Sequence, residues 1–216
     1  MWHERVLFID GEALVIDKPA GLPVTRGKHP GESLEDHLAH LRFGFQRPPS
    51  PVHRLDRDTS GCLLLSRNPK AHKRFAAAFE AGAVAKTYLA VVDGVPAAES
   101  GEIELPLAKV STREAGWRMV GDARGKPAAT AWSVAAVVDG RALVRFVPRT
   151  GRTHQIRVHA ATGLGLPIAG DPVYGGSRGP MLLHAAALRL ERGDKPPIIA
   201  EAPLPPTFVQ AEFGDA

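Results

Sequence analysis

Short apolar runs separated by turn residues are the feature of this sequence that most constrains its fold. An Asp-Gly pair occurs twice between such runs, at Asp10-Gly11 and at Asp139-Gly140. This arrangement is typical of a β-hairpin, because both residue types tolerate a positive φ. The runs that flank the two pairs are Val6–Ile9 with Ala13–Asp17, and Ala128–Val138 with Ala142–Val147. The pattern therefore predicts antiparallel strand pairs.

Other segments add strands and helices to this framework. Asn68-Pro69 followed by Gly82 predicts a helix with an N-cap, a proline in its first turn and a glycine stop. Ser33 with Asp36 resembles a capping box and predicts a short helix, and residues 153–162 have helical character. Further strands are predicted at Cys62–Leu65, Val84–Val92, Gly101–Leu105, Trp117–Val120, Leu182–Leu190 and Ile198–Ala202. The sequence thus predicts an α+β fold, with a mixed, largely antiparallel central sheet flanked by helices and loops. No long linker is visible, which favours a single domain over residues 1–216.

Composition narrows the class of protein. A hydrophobic fraction of 44% in 216 residues is enough for a substantial core. The single cysteine, Cys62, excludes an internal disulfide and any multi-cysteine metal site, and no apolar stretch is long enough for a membrane helix. The first residues lack the features of a signal peptide, so a cytoplasmic protein is expected. The net charge of +4 fits an RNA partner, but basic proteins with small substrates are also common.

Residues 53–61, His-Arg-Leu-Asp-Arg-Asp-Thr-Ser-Gly, are the first candidate for chemistry. Asp56 lies between a proline-rich loop and an apolar strand, and the arginines around it favour its ionised form. An ionised carboxylate acts as a nucleophile or a base. On these nine residues alone a surface turn is favoured over a catalytic loop, with Asp58, Thr59 and Ser60 bonded to the local backbone.

A second candidate segment is rich in cationic side chains. Residues 149–159 carry Arg149, Arg152, His154 and Arg157 within nine positions beside a strand end. If residues 153–159 are helical, Arg152 lies near the helix N-terminus, where a phosphate group is stabilised. A solvated basic helix start is the alternative, although the apolar residues within the segment need burial.

Taken together, the motifs resemble those of the RluA-type pseudouridine synthases, in a short form without an S4 RNA-binding domain. HRLDRDTSG at 53–61, KTYLAVVDG at 86–94 and TGRTHQIRVH at 150–159 carry the resemblance, in the family's order. Supporting matches are DKPAGLPV at 17–24, GLPIAGDPVYG at 165–175, LLHAAALRL at 182–190 and EAPLPP at 201–206. The resemblance covers almost the whole chain and implies the pseudouridine synthase fold.

The resemblance also implies roles for individual residues. Asp56 matches the catalytic aspartate, Arg157 the arginine that pairs with it, and Tyr88 the tyrosine that packs on the target base. Arg54 matches the arginine that helps to expel and replace the target uridine, and Ile156 an apolar wall. Lys18, Arg152 and His154 are assigned to RNA contact or to support of the site.

The implied reaction converts selected uridines of structured RNA, in transfer RNA or large-subunit ribosomal RNA, into pseudouridine. Because oxidation level is conserved, we expect neither an organic cofactor nor a metal. We also expect a monomer without an obligate protein partner. The aspartate could act at C1′, C2′ or C6. Two rival hypotheses remain at this point: a hydrolase that uses Asp56 with His53 or His154, and a non-catalytic RNA-binding protein on the same scaffold.

Overall fold

The computed structural model describes residues 2–27, 31–112, 116–176 and 178–214. Contacts divide the chain into two compact units, each discontinuous in sequence. Unit 1 comprises Met1–Lys86 and Ala185–Pro203, and unit 2 comprises Thr87–His184 and Leu204–Ala216. The single domain expected from the sequence stays a prediction.

Strands dominate the secondary structure. They are β1 Val6–Ile9, β2 Ala13–Lys18, β3 Ser50–Pro51, β4 Ser60–Ser66, β5 Val84–Val92, β6 Ser100–Glu104, β7 Leu107–Thr112, β8 Gly116–Gly121, β9 Ala129–Val138, β10 Arg141–Pro148, β11 Leu183–Arg192 and β12 Lys195–Glu201. The helices are α1 Pro69–Glu80, α2 Gln155–Val158 and α3 Pro206–Gln210, with 3-10 turns at Trp2–Arg5 and Leu34–Leu41 and a π-helical turn at His159–Gly163.

Unit 1 is built on antiparallel strand pairs and one amphipathic helix. Strand β2 pairs with β1 and β4, β3 pairs with β4, and β11 pairs with β12. The hairpin expected at Asp10-Gly11 is confirmed, since β1 and β2 flank it and the carboxylate of Asp10 accepts the backbone N–H groups of Glu12 and Ala13. Cys62 is buried in this core, and burial raises the pKa of its thiol to about 12.

Helix α1 begins and ends where the sequence predicts. The side chain of Asn68 accepts the backbone N–H of Ala71 at 2.8 Å, and Pro69 occupies the first turn, where it needs no backbone donor. Phe75 is buried in the unit 1 core, and Phe79 packs against the same cluster. The aromatic face of α1 therefore holds the helix on the sheet, as its spacing indicates.

Gly61 fixes the point at which β4 begins. Its φ is +105°, and a Cβ built there would lie 2.2 Å from the carbonyl oxygen of Ala185. Main chain occupies the space that a side chain would need, so only glycine fits. The loop that carries Asp56 thus ends at a fixed position.

Unit 2 contains a four-stranded antiparallel ladder and a separate hairpin. Strand β10 pairs with β5 and β9, and β9 pairs with β6. Strands β7 and β8 form their own two-stranded sheet. The turn at Asp139-Gly140 joins β9 and β10 as predicted, with φ values of +47° and +74°. The helical segment expected at 153–162 is also present and ends at Gly163, although its second half is π-helical.

Three expectations need correction or completion. The helix that follows Ser33 is a 3-10 helix, although the reciprocal capping box between Ser33 and Asp36 is formed. Strand β7 and helix α3 were not predicted, because half of the six β7 residues are polar without alternating with apolar ones, and α3 follows a proline-rich stretch. Within the described ranges, no helix is both long and apolar enough to cross a membrane.

Candidate active site

The loop between β3 and β4 presents Asp56 on a tight turn. Leu55 is buried and anchors the loop, Asp56 is half-buried, and Arg54 is exposed. The backbone N–H of Thr59 donates to the carbonyl oxygen of Asp56 at 3.2 Å. The carboxylate of Asp58 pairs with the side chain of Arg57 at 3.0 Å. The turn therefore exists, and its two carboxylates lie in different surroundings.

Lys18 joins this loop to the segment that follows β2. Its side chain is fully buried, and its ammonium donates to the carbonyl oxygens of Pro19, Leu22 and Arg57 at 2.7, 2.7 and 3.1 Å. An ammonium has three donors, so these three bonds satisfy it. Of the two roles assigned to Lys18, RNA contact or support of the site, the buried position favours support, and the assignment stays a prediction.

The charge of Lys18 is coupled to the carboxylates of the loop. Burial lowers the pKa of Lys18 to about 8, against the opposing influence of Asp58, Asp56 and Asp17. The ammonium is thus protonated at neutral pH and contributes positive charge close to Asp56.

His53 is held as a neutral acceptor. Its Nε2 accepts the backbone N–H of Leu64 at 2.9 Å, and its ring stacks on Phe79 with centroids 4.4 Å apart. Burial and the nearby charge of Lys86 lower the pKa of His53 to about 3. A nitrogen that accepts a backbone N–H cannot also exchange a proton with a substrate, which argues against His53 as the acid or base of a hydrolase.

In unit 2, Tyr88 and Ile156 belong to one apolar cluster. Tyr88 lies on β5 opposite Phe146 of β10 and is half-buried. Ile156, on α2, is a buried member of the cluster against which Tyr88 packs. The structure therefore brings the expected aromatic ring and the expected apolar wall together.

Arg157 forms a buried bidentate pair with Asp171. Its Nε and Nη2 donate to the two carboxylate oxygens of Asp171, each at 2.8 Å, and the side chains are 6% and 0% exposed. Burial raises the pKa of the Asp171 carboxyl, but the hydrogen bonds and charge of Arg157 outweigh burial and hold that pKa below its usual value. The expected partner of Arg157 was Asp56, and that pairing stays a prediction.

Tyr174 connects this pair to the β7–β8 hairpin. The Arg157 guanidinium carbon lies 5.1 Å from the centre of the Tyr174 ring. The Tyr174 hydroxyl accepts the backbone N–H of Met119 at 3.0 Å and shares a hydrogen bond with Nδ1 of His154 at 2.9 Å. The His154 ring in turn lies 5.1 Å from the half-exposed ring of Trp117. His154 is therefore fixed in position, which fits a supporting role.

Arg152 lies at the start of the same helical segment. Its side chain is exposed, and Nε donates to the carbonyl oxygen of Pro127 at 3.0 Å. The buried amide of Gln155 organises the turn, accepting from Thr150 and the backbone of Arg152 and donating to Thr130. This turn fixes the start of α2, and therefore the position of Arg157, which is the third residue of that helix.

The expected site residues are thus distributed over both units. Asp56, Arg54 and Lys18 belong to unit 1, and Tyr88, Arg152, His154, Ile156 and Arg157 belong to unit 2. Asp171 was missed, although the segment GDPVYG was recognised. An acidic residue next to a glycine is ordinary in a turn, so the sequence carries no signal that Asp171 pairs with Arg157, 14 residues away. Among the described residues, no group of three or more His, Cys, Asp and Glu side chains is placed to hold a metal ion.

Comparison with known proteins decides the family. The model of a family described as RNA pseudouridylate synthase matches residues 12–162, a range that includes Asp56, Tyr88 and Arg157. The chain belongs to this family. Pseudouridine synthases are isomerases, so the predicted family, fold and enzyme class are confirmed.

Individual pseudouridine synthases show how far the similarity extends. An uncharacterized RNA pseudouridine synthase of Zymomonas mobilis is 58% identical over 214 residues, covering 97% of this chain and 98% of that protein. The ribosomal large subunit pseudouridine synthase D of the same organism is 36% identical over 181 residues, covering 81% of this chain and 56% of that protein. The chain therefore spans nearly all of the first relative and about half of the second.

Solved structures agree with the sequence comparison. Human RNA Pseudouridylate Synthase Domain Containing 4 matches with a TM-score of 0.82 and 26% identity, covering 97% of this chain and 92% of that one. Human RNA Pseudouridylate Synthase Domain Containing 1 matches with a TM-score of 0.76 and 28% identity, covering 92% of this chain and 82% of that one. The α+β architecture of the chain is that of pseudouridine synthases.

Proposed function

We propose that this enzyme converts selected uridines of a structured RNA into pseudouridine, with Asp56 as its catalytic carboxylate. The observation that carries the assignment is the setting of Asp56 within its own loop. The side chain is half-buried, a buried leucine and a backbone hydrogen bond fix the turn, and a buried ammonium lies close enough to interact with its charge. A carboxylate on a turn fixed in this way is presented to a substrate without a rearrangement of the loop.

The conversion of uridine to pseudouridine determines what each proposed residue must do. The N1–C1′ bond breaks, a C5–C1′ bond forms, the C5 proton leaves, and N1 takes up a proton. No electrons are gained or lost, so the proposal requires no redox cofactor and no metal. Asp56 acts on the ribose, at C1′ as a nucleophile or at C2′ as a base.

Tyr88 and Ile156 would hold the detached uracil. A uracil ring stacks on an aromatic face, and such stacking contributes roughly 1–3 kcal/mol per base. The Tyr88 side chain packs against the apolar cluster that contains Ile156. We further assign the C5 proton transfer to Tyr88, and we propose that Arg157 acts on the same nucleotide by pairing with the charge of Asp56.

Access to the target requires that the nucleotide leave its stack. Extrusion of a base costs a few kcal/mol, and least for nucleotides in loops. Arg54 is exposed on the loop next to Asp56, and its planar guanidinium would fill the vacated space. Arg152 and His154 would contribute to RNA contact or to its support.

The RNA is proposed from the relatives. Proteins named ribosomal large subunit pseudouridine synthase C or D are 35–37% identical to this chain. We therefore propose large-subunit ribosomal RNA, transfer RNA or both as substrate, and accordingly a cytoplasmic enzyme. Mapping pseudouridines by carbodiimide labelling in a deletion strain identifies the position. We also propose a monomer without an obligate protein partner, to be measured by light scattering.

The decisive test compares two carboxylates of one turn. Asp56→Asn should lower release of tritium from RNA labelled at uridine C5 by about 10³-fold or more, which is roughly 4 kcal/mol of activation free energy. Asp58→Asn is the matched control, because Asp58 is also half-buried but pairs with Arg57, and it should stay within about threefold of the wild type. RNA binding, measured by filter retention, should persist in both variants. Wild-type tritium release by Asp56→Asn would refute the proposal.

A further inference from the structure

We infer that Asp171 is a positioning residue for the reaction, which acts by fixing the plane and direction of the Arg157 guanidinium. The inference deepens the proposed function and rests on it, because it takes Arg157 to act on the target nucleotide. Asp171 lies outside the three motifs that carry the family resemblance. Its proposed role follows from its contacts.

The geometry of the pair determines the orientation of Arg157. A guanidinium is planar, and two parallel hydrogen bonds from Nε and Nη2 to one carboxylate fix that plane. Both bonds are 2.8 Å long, and both side chains are buried. A guanidinium carries five N–H donors, so the pair does not exhaust its capacity. Because Asp171 engages Nε and Nη2, the direction of Nη1 follows from the position of Asp171.

Asp171 is itself held rigidly. Its Oδ1 also accepts the backbone N–H groups of Val173 and Tyr174, at 2.8 and 3.1 Å. Its own backbone N–H donates to the carbonyl oxygen of Ile168, and its carbonyl accepts from Gly175. A carboxylate with four side-chain hydrogen bonds in a closed turn has little freedom to follow a moving arginine.

The neighbouring glycine shows why this turn keeps its shape. Gly170 has a φ of +73°, and a Cβ there would lie 2.1 Å from the carbonyl oxygen of Pro180. The turn that presents Asp171 is thus packed directly against main chain. Tyr174, from the same turn, lies against the guanidinium and bonds His154, so one turn sets the positions of Arg157, Tyr174 and His154.

A purely structural carboxylate would stabilise the fold without affecting the chemical step selectively. A positioning carboxylate predicts a different result. Asp171→Asn keeps the shape and an acceptor oxygen but loses the charge and one of the two matched acceptors. We expect kcat to fall by about 30-fold or more, while the Kd for RNA changes by less than about threefold, since Arg157 is still present.

A double-mutant cycle separates action through Arg157 from any other effect. In an Arg157→Lys background the bidentate pair no longer exists, so the further change Asp171→Asn should alter kcat by less than about threefold. Glu102→Gln is the matched control: Glu102 forms a carboxylate–arginine pair with Arg149 in the same unit, and its loss should leave kcat unchanged.

Each outcome decides the inference. Wild-type kcat in Asp171→Asn, or multiplicative effects of the two substitutions, would overturn the role of Asp171 without affecting the assignment of Asp56. Wild-type kcat in Arg157→Lys would instead contradict the proposed function of Arg157. If Asp171→Asn does not fold, Asp171→Glu takes its place, because its extra methylene displaces the guanidinium but keeps the charge. Loss of kcat with retained binding supports the inference, and full kcat overturns it.

Discussion

Lys18 in unit 1 and Arg157 in unit 2 are both buried cations, but their hydrogen-bond partners differ in charge. Lys18 in unit 1 meets three neutral backbone carbonyls, whereas Arg157 in unit 2 meets a buried carboxylate. An ammonium is a compact charge with three donors and suits converging carbonyls, while a guanidinium suits a planar carboxylate. The first arrangement ties loops together, and the second fixes the orientation of a side chain.

Removal of Arg157 should have the larger effect on stability. Arg157→Met leaves Asp171 as a buried anion with only backbone donors, and breaking such a pair costs about 3–5 kcal/mol. Urea unfolding of the variant and the wild type measures the difference. The exposed pair of Arg124 and Asp122 provides a control, since Arg124→Met should change stability by less than about 0.5 kcal/mol. A loss below about 1 kcal/mol for Arg157→Met would contradict the distinction between the two sites.

Removal of Lys18 should cost less, because the groups that its ammonium hydrogen-bonds directly are neutral backbone carbonyls. Lys18→Met leaves three carbonyl groups without their donor, at roughly 1–3 kcal/mol in total after partial hydration. The control is Lys70→Met on the exposed surface of α1. Lys18→Met should also lower kcat, because the loop that carries Asp56 loses its hydrogen bond from Lys18 to the carbonyl oxygen of Arg57. Unchanged kcat alongside lowered stability would show that Lys18 supports the fold alone.

His53, in the same loop, is half-buried and uncharged, and its contribution to stability depends on pH. The pKa of His53 is about 3 in the folded protein and ordinarily about 6.5. Between these values the unfolded chain binds a proton that the folded protein does not, so stability should fall as pH decreases from about 6.5 towards 3. The slope approaches 1.4 kcal/mol per pH unit. His53→Gln should reduce this slope in urea unfolding between pH 6 and 5, and an unchanged slope would exclude His53 as its source.

The fold was predictable where local chemistry alone determines the structure. Both Asp-Gly hairpins and the capped helix α1 follow from residues that act on their immediate neighbours. Strand β7 was not predictable, because its sequence does not alternate between apolar and polar residues. Its strand structure depends on pairing with β8. The spacing of the leucines in residues 34–41 predicts a helix but does not distinguish a 3-10 helix from an α-helix.

The site was predictable to the extent that motifs carry it. The resemblance named Asp56, Tyr88 and Arg157 as catalytic and Ile156 as an apolar wall, and these roles stay predictions. The structure places Ile156 in the apolar cluster against which Tyr88 packs. The burial of Lys18 and the pairing of Arg157 with Asp171 were not predictable. Both depend on contacts between segments distant in sequence, 39 and 14 residues apart. A lysine or an aspartate in a Gly- and Pro-rich stretch reads as exposed unless its partner is known.

The contact of Gly61 with the carbonyl of Ala185 has a consequence for how this loop tolerates change. The C-terminal end of the loop is fixed where the main chain of Gly61 packs against the main chain of Ala185, with no side chain between them. Substitutions within residues 54–58 can therefore alter the charge of the loop while its end stays in place. A larger residue at position 61 would force the two strands apart, and the loop that carries Asp56, the proposed catalytic carboxylate, would lose its fixed end.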